Sequence, residues 1–319
     1  VPPNQLAFGY VAGAVYGMAY QRSSETIFAT AFMKRHAGFG SLGPGGIYKI
    51  ELSGGTPVVT DFVDLATLGV SLGSDVHTGL GASATAPTHA PAAFDAVGKN
   101  AMGDADISDD EETLWVTNLF SRTLVRIDIG LPLQTPSASD VTEYPITDPG
   151  CSDGEFRPWA VTVHDGLVYV GVVCSAETSQ NIADLEAYIL SFDPESEAFN
   201  QIFQMDLDYP RGHISSNGST SEDAEWLPWI DEWTDITNPA PDAGVFGQTM
   251  YPQPILTDIE FDNDGSMILG FVDRFGHQGG NQNYSTDTND TETYEAAVAG
   301  DMIRVCNDGG TFTLENNAA

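Results

Sequence analysis

Basic side chains are scarce in this sequence, so their placement carries information. The chain has 46 Asp and Glu against 11 Lys and Arg. Arg35, Arg122 and Arg274 each follow a run of strand-forming residues, and Arg157 precedes one. Guanidinium groups gathered at one end of a scaffold can hold a carboxylate or sulfate in bidentate geometry. They can equally pair with neighbouring Asp and tie structural units together. His36 and His277 follow Arg35 and Arg274 in comparable loops, which would suit a shared ligand site or a metal pair, although neither stands in a spaced ligand motif.

Three of the five Trp lie in one segment, Trp226, Trp229 and Trp233. Their i, i+3, i+7 spacing would place them on one side of a short helical turn. Exposed, they would form a platform for sugar rings or an anchor for a protein partner; buried, they would pin the segment to the scaffold. Asp287, Asn289, Asp290 and Glu292 fall in an insertion and are the candidate cation ligands, with calcium the ion they would suit. Asp262-Asn-Asp-Gly-Ser266 opens like a calcium loop, but its place between two strand-like runs makes it a hairpin turn. Asn217, Asn283 and Asn289 stand in glycosylation acceptor triplets. No nucleophile elbow, Ser-His-Asp order or phosphate-cradling glycine loop is present, and the expectation is a protein that is not an enzyme.

The elements that must position these residues repeat. Strand-length runs rich in β-branched and aromatic residues, bounded by Gly, Asp, Asn and Ser, recur in sets of four. The sets span about 15–65, 103–146, 157–205 and 256–315. Recurrence of one four-strand template predicts an all-β fold of the β-propeller type, or a fragment of one, within a single domain over residues 1–319. A β-sandwich is the alternative, but it does not require the template to recur. In an up-and-down blade the second-to-third and fourth-to-first connections emerge on the same face. Nearly all the inserted length lies in those connections, so the long loops should decorate one face, where binding sites usually lie. Leu6 to Val11 could pair with the terminal blade.

Composition narrows the partners. A formal charge of -35 repels phosphate backbones and anionic lipid, and no apolar run reaches bilayer-spanning length. Nucleic acid and membrane insertion are therefore excluded as expectations. Folding the third set about His164-Asp165-Gly166 brings Cys174, at the end of its second strand, near Arg157, and Cys151 is a short loop away. A Cys151–Cys174 disulfide is expected, leaving Cys306 unpaired.

The segments Met33 to Tyr48, Arg157-Pro-Trp-Ala160 with Tyr169 to Glu177, and Phe271 to Gln278 resemble the propeller region of large bacterial cell-surface proteins that carry SdrD B-like, immunoglobulin-type repeats. The resemblance covers most of the chain. It implies secretion, attachment to a surface or extracellular assembly, no established catalysis, and a propeller that continues beyond Leu314; apart from calcium at the insertion acids, no cofactor is expected. The expected function is thus a non-catalytic recognition, adhesion or assembly module whose partner is an extracellular polymer, carbohydrate or surface protein. Its candidate binding set is Arg35, His36, Arg157, Arg274, His277 and the three Trp. Two alternatives are a self-assembling filament or sheath subunit and a propeller hydrolase of the lactonase type. The last would need carboxylates converging on the axis, for which Asp106, Asp258 and Glu260 are placed on innermost strands.

Overall fold

The computed structural model describes residues 6, 9–81, 83, 85–216, 220–236 and 248–315. The Asn217 triplet and residues 7 and 8 lie outside these. In chain order the first sheet comprises β1 (Val15–Gln21), β2 (Thr26–Ala31), β3 (Gly46–Glu51) and β4 (Val58–Asp64). The second comprises β5 (Met102–Ile107), β6 (Thr113–Asn118), β7 (Thr123–Asp128) and β8 (Val141–Pro145), and the third β9 (Phe156–His164), β10 (Leu167–Cys174), β11 (Glu186–Asp193) and β12 (Ala198–Asp206). A hairpin of β13 (His213–Ser216) and β14 (Thr220–Asp223) and the short β15 (Gln248–Thr249) precede the fourth sheet. That sheet comprises β16 (Pro254–Phe261), β17 (Met267–Asp273), β20 (Asp301–Asp308) and β21 (Thr311–Leu314), interrupted by β18 (Asn283–Tyr284) and β19 (Thr293–Ala296).

All four sheets are antiparallel and run in sequence order from first to last strand. The chain is all-β, with the blade pattern of a propeller. Local chemistry explains the turns: Asp165 (φ 50) and Gly166 (φ 77) both adopt the left-handed conformation that a tight β9–β10 hairpin needs. Asp262 to Ser266 likewise forms the β16–β17 turn, and Arg304 holds its Asp262 and Asp264 carboxylates at 2.9 and 2.8 Å.

Three layers of the core lie between successive sheets. Phe28, Ile47 and Phe62 meet Leu114, Val116 and Ile127. Trp115 and Leu124 meet Val168, Val170 and Leu190. Ile189 and Phe203 meet Leu256, Leu269 and Phe271. The innermost strands β1, β5, β9 and β16 pack successively, and β5 also approaches β16 across the axis. Close approach is written into Gly17, where a Cβ would fall 2.6 Å from the Ala105 nitrogen. Polar ties reinforce the layers: Val161 N–H donates to Asp104 (3.3 Å), Val163 N–H to Asp106 (2.7 Å), and the Thr30 hydroxyl to the Gly103 carbonyl (3.0 Å).

Cys151 and Cys174 are joined, with Cα atoms 5.2 Å apart, and Cys306 is free. Two expectations fail at the level of elements. Residues 9–12 form a helical turn, α1 (Gly9–Ala12), rather than a strand extending the terminal blade. The Trp segment is not a helix either. Residues 224–230 are irregular, and only Trp233–Asp235 forms a 3-10 turn, because Pro228 and burial of all three indoles override helical spacing.

Candidate binding site on the long-loop face

The long connections do gather on one face, but the guanidinium groups inside them point inward. Arg35 and Arg274 are both fully buried. Arg274 donates to the carbonyls of Val97, Ile230 and Asp95 and to Gln253 Oε1, each at 2.8 Å. Arg35 donates to the carbonyls of His89, Gln278 and Tyr284 at 2.6–3.1 Å. Burial lowers their pKa values to about 9 for Arg35 and about 10 for Arg274. Arg157 pairs with Glu177, which Lys99 also approaches at 2.8 Å. Arg122 lies over the Phe156 ring at 4.9 Å. The exposed ligand-binding cluster is therefore corrected, and the alternative, arginines as internal ties, holds with loop carbonyls rather than Asp as the main partners of Arg35 and Arg274. In loops that must leave the sheets and return, buried carbonyls need donors, and the forked guanidinium supplies several from one side chain.

Of the two readings of the Trp residues, the exposed platform is corrected and the buried one, pinning the segment to the scaffold, holds. Trp226, Trp229 and Trp233 are 0%, 0% and 5% exposed, and each enters a different apolar cluster. Each indole meets an arginine: Arg211 lies 3.4 Å from the Trp226 ring centre, Arg274 4.3 Å from Trp229, and Arg35 5.6 Å from Trp233. The segment and the arginines share one face, as strand parity requires, but they form its interior. Nor do the insertion acids gather round a cation. Asp287 accepts from Asn289, Asp290 accepts from Ser285 and Tyr294, and the Glu292 amide donates to Asp290. Among the described residues no group of three or more His, Cys, Asp or Glu is placed to hold a metal ion.

Above this buried network lies a pocket of about 440 Å³. Lys34, His36, Thr88, Asn281, Gln282 and Asn283 supply its polar wall, and Gly38, Leu80, Gly81 and Ala86 complete it. Three separate loops therefore meet here. His36 Nδ1 pairs with the Thr88 hydroxyl at 2.8 Å, and the Thr88 amide donates to Asn283 Oδ1 at 3.3 Å, which locks the loops together. Gly280 is required at the seam: its φ is +70°, and a Cβ would strike His36 Cδ2 and Asn283 Nδ2 at 2.9 Å. Burial, assisted by the charge of Arg35, lowers the His36 pKa to about 3, so the imidazole is neutral.

A second pocket of about 440 Å³ adjoins the first, sharing Lys34, Ala37 and Gly38. Its wall carries the rings of Tyr16, Phe32 and His277, packed edge to face, with His277 4.9 Å from Phe32 and 6.2 Å from Tyr16. Burial and the charge of Lys34 lower the His277 pKa to about 4. Of the sequence candidates, His36 and His277 line these pockets, as does Asn283, which the sequence offered as a glycosylation acceptor. Lys34, Asn281 and Gln282 carried no signal beyond the amide-rich Gly279-Gly-Asn-Gln-Asn283 run.

The axis itself holds carboxylates. Burial raises the pKa of Asp104 to about 8, and Asp106, Asp258 and Glu260 are raised by burial as well. Asp104 and Asp258 also act on Tyr16, whose hydroxyl is raised chiefly by burial.

No family model matches the sequence. The chain is 27% identical over 317 residues to Colossin-A of Dictyostelium discoideum, covering 98% of this chain and 2% of that protein. It is 28% identical over 307 residues to Colossin-D of the same organism, covering 96% of this chain and 28% of that protein. The chain thus spans a minor part of these relatives. Among solved structures it is similar to the periplasmic gluconolactonase PpgL of Pseudomonas aeruginosa, at 9% identity and a TM-score of 0.43 over 96% of this chain and 57% of that one. It is also similar to a chain of a nidogen/laminin complex, at 9% identity and a TM-score of 0.37 over 89% and 81%.

Proposed function

We propose that this chain is a non-catalytic recognition module of an extracellular surface protein, and that it binds a polar ligand in the loop-face pocket. The observation that carries this reading is the pocket wall. In a chain of net charge -35 it combines a lysine, a neutral histidine, three side-chain amides and several hydroxyls, and among the described residues it contains no carboxylate. Such a surface offers donors and acceptors without a fixed negative field, which suits the hydroxyl groups of a carbohydrate. The disulfide is in keeping with an oxidising compartment, and the resemblance to surface proteins with SdrD B-like repeats supports the same setting. A labelled chain incubated with a glycan array tests it. Ala86→Trp, which fills the pocket, and Asn281→Ala, which removes an exposed amide, should abolish or weaken binding while leaving the melting temperature close to that of the parent. Unchanged binding by Ala86→Trp would remove the pocket from the account.

A second reading, a lactonase-type hydrolase, is favoured by one observation: Asp104, Asp106, Asp258 and Glu260 share the axis. It requires lactone hydrolysis that responds to calcium and is lost in Asp258→Asn. Under the recognition reading the chain shows neither.

A further inference from the structure

Resting on the recognition reading above, we infer that the loop-face ligand is an acidic polysaccharide laid across both pockets, with Lys34 receiving its anionic group. Two features carry this. Among the described residues Lys34 is the one cationic side chain in either wall, and it lines both. In a chain with 46 acidic residues, none of the fourteen residues lining the first pocket or the ten lining the second is acidic.

The two walls differ in a way that suits successive sugar units. The first presents amides and hydroxyls to ring substituents. The second is lined by the half-buried rings of Tyr16 and His277, which pack edge to face over the buried Phe32 and give an apolar contact for the C–H groups of a sugar ring. Because His36 and His277 are neutral, Lys34 alone can balance a carboxylate or sulfate. Asp104, which acts on Tyr16 in the second wall, holds its proton to about pH 8 and adds no negative charge there below it. The rest of the negative charge is screened beyond about 8 Å at physiological salt.

Titration calorimetry at about 0.15 M salt with alginate, dextran sulfate and neutral dextran tests the inference. The expected result is binding to an acidic polymer and little or none to dextran. Alginate alone would assign the anion as carboxylate, and dextran sulfate alone as sulfate. Lys34→Gln should weaken acidic-polymer binding about tenfold, in line with loss of one charge-assisted contact, and Lys34→Arg should restore most of it. Equal binding of dextran and alginate, indifferent to Lys34→Gln but lost in Ala86→Trp, would overturn the acidic-ligand inference and leave the recognition reading standing. Binding indifferent to both substitutions, or none to any of the polymers, would overturn the inference; in the first case the recognition site falls with it.

Discussion

At the scale of single residues, arginine here acts as an internal organiser. Arg274 serves three loop carbonyls and the Gln253 amide oxygen from a fully buried position. Removing its guanidinium strips a charged donor from all four acceptors in a dry interior, and among the described residues only Gln253 Oε1 and the Ile230 carbonyl keep a second donor, from the Ile230 amide and Gln278. Arg274→Gln should therefore lower stability by about 3–5 kcal/mol, measured by denaturant unfolding. A loss under about 1 kcal/mol, the value typical of exposed ion pairs, would contradict the burial. Titratable groups at the axis and in the pockets give a second residue-scale expectation. Asp104 has a folded pKa raised by burial to about 8, from an ordinary 3.8. Its contribution is fully present below the ordinary value and is lost as pH rises through about 8. His36 and His277 are lowered, so their contribution is present above the ordinary 6.5 and is lost as pH falls towards about 3 for His36 and about 4 for His277. Between the ordinary 3.8 and about 8 the Asp104 contribution declines with rising pH, while the histidine contributions grow up to the ordinary 6.5, so the two oppose each other below neutrality. In Asp104→Asn the melting temperature should rise more steeply with pH between about 4 and 8 than in the parent, and the same slope in both proteins would contradict the assignment.

At the scale of elements, the blades were legible and the loops were not. Alternating apolar runs, Asp-Gly and Asn-Asp-Gly turns and a recurring four-strand template mark each sheet because a strand's pattern is local. Strand parity also placed the long loops on one face, and hairpin geometry placed Cys174 beside Cys151. What a loop side chain does depends on which distant carbonyls surround it, and nothing near Arg35 or Arg274 in sequence announces His89, Tyr284 or Ile230. Trp226, Trp229 and Trp233 failed for the same reason: helical spacing was satisfied on paper, but three separate apolar clusters each needed one indole. The disulfide belongs to this scale as well. It closes a separation of 23 residues between the loop before β9 and the end of β10. Its removal by Cys151→Ser with Cys174→Ser should cost about 3 kcal/mol. Equal stability of the oxidised parent and the double variant would mean that the bond does not constrain the unfolded chain.

At the scale of the whole molecule, two features dominate: a net charge of -35 and a division of labour between an acidic axis and an acid-free loop-face cleft. Self-repulsion opposes compactness and is screened by salt, so the melting temperature should rise between about 0.01 and 1 M sodium chloride. A fall would mean that attractive surface pairs outweigh the repulsion. The cleft carries the central claim, and hydrogen exchange with and without saturating alginate or dextran sulfate tests it most directly. The account predicts added protection confined to backbone amides around residues 34–38, 80–88 and 280–283, with the strands at 104–107 and 257–261 unchanged. Protection centred instead on those axial strands, or on no segment of the long-loop face, would contradict it.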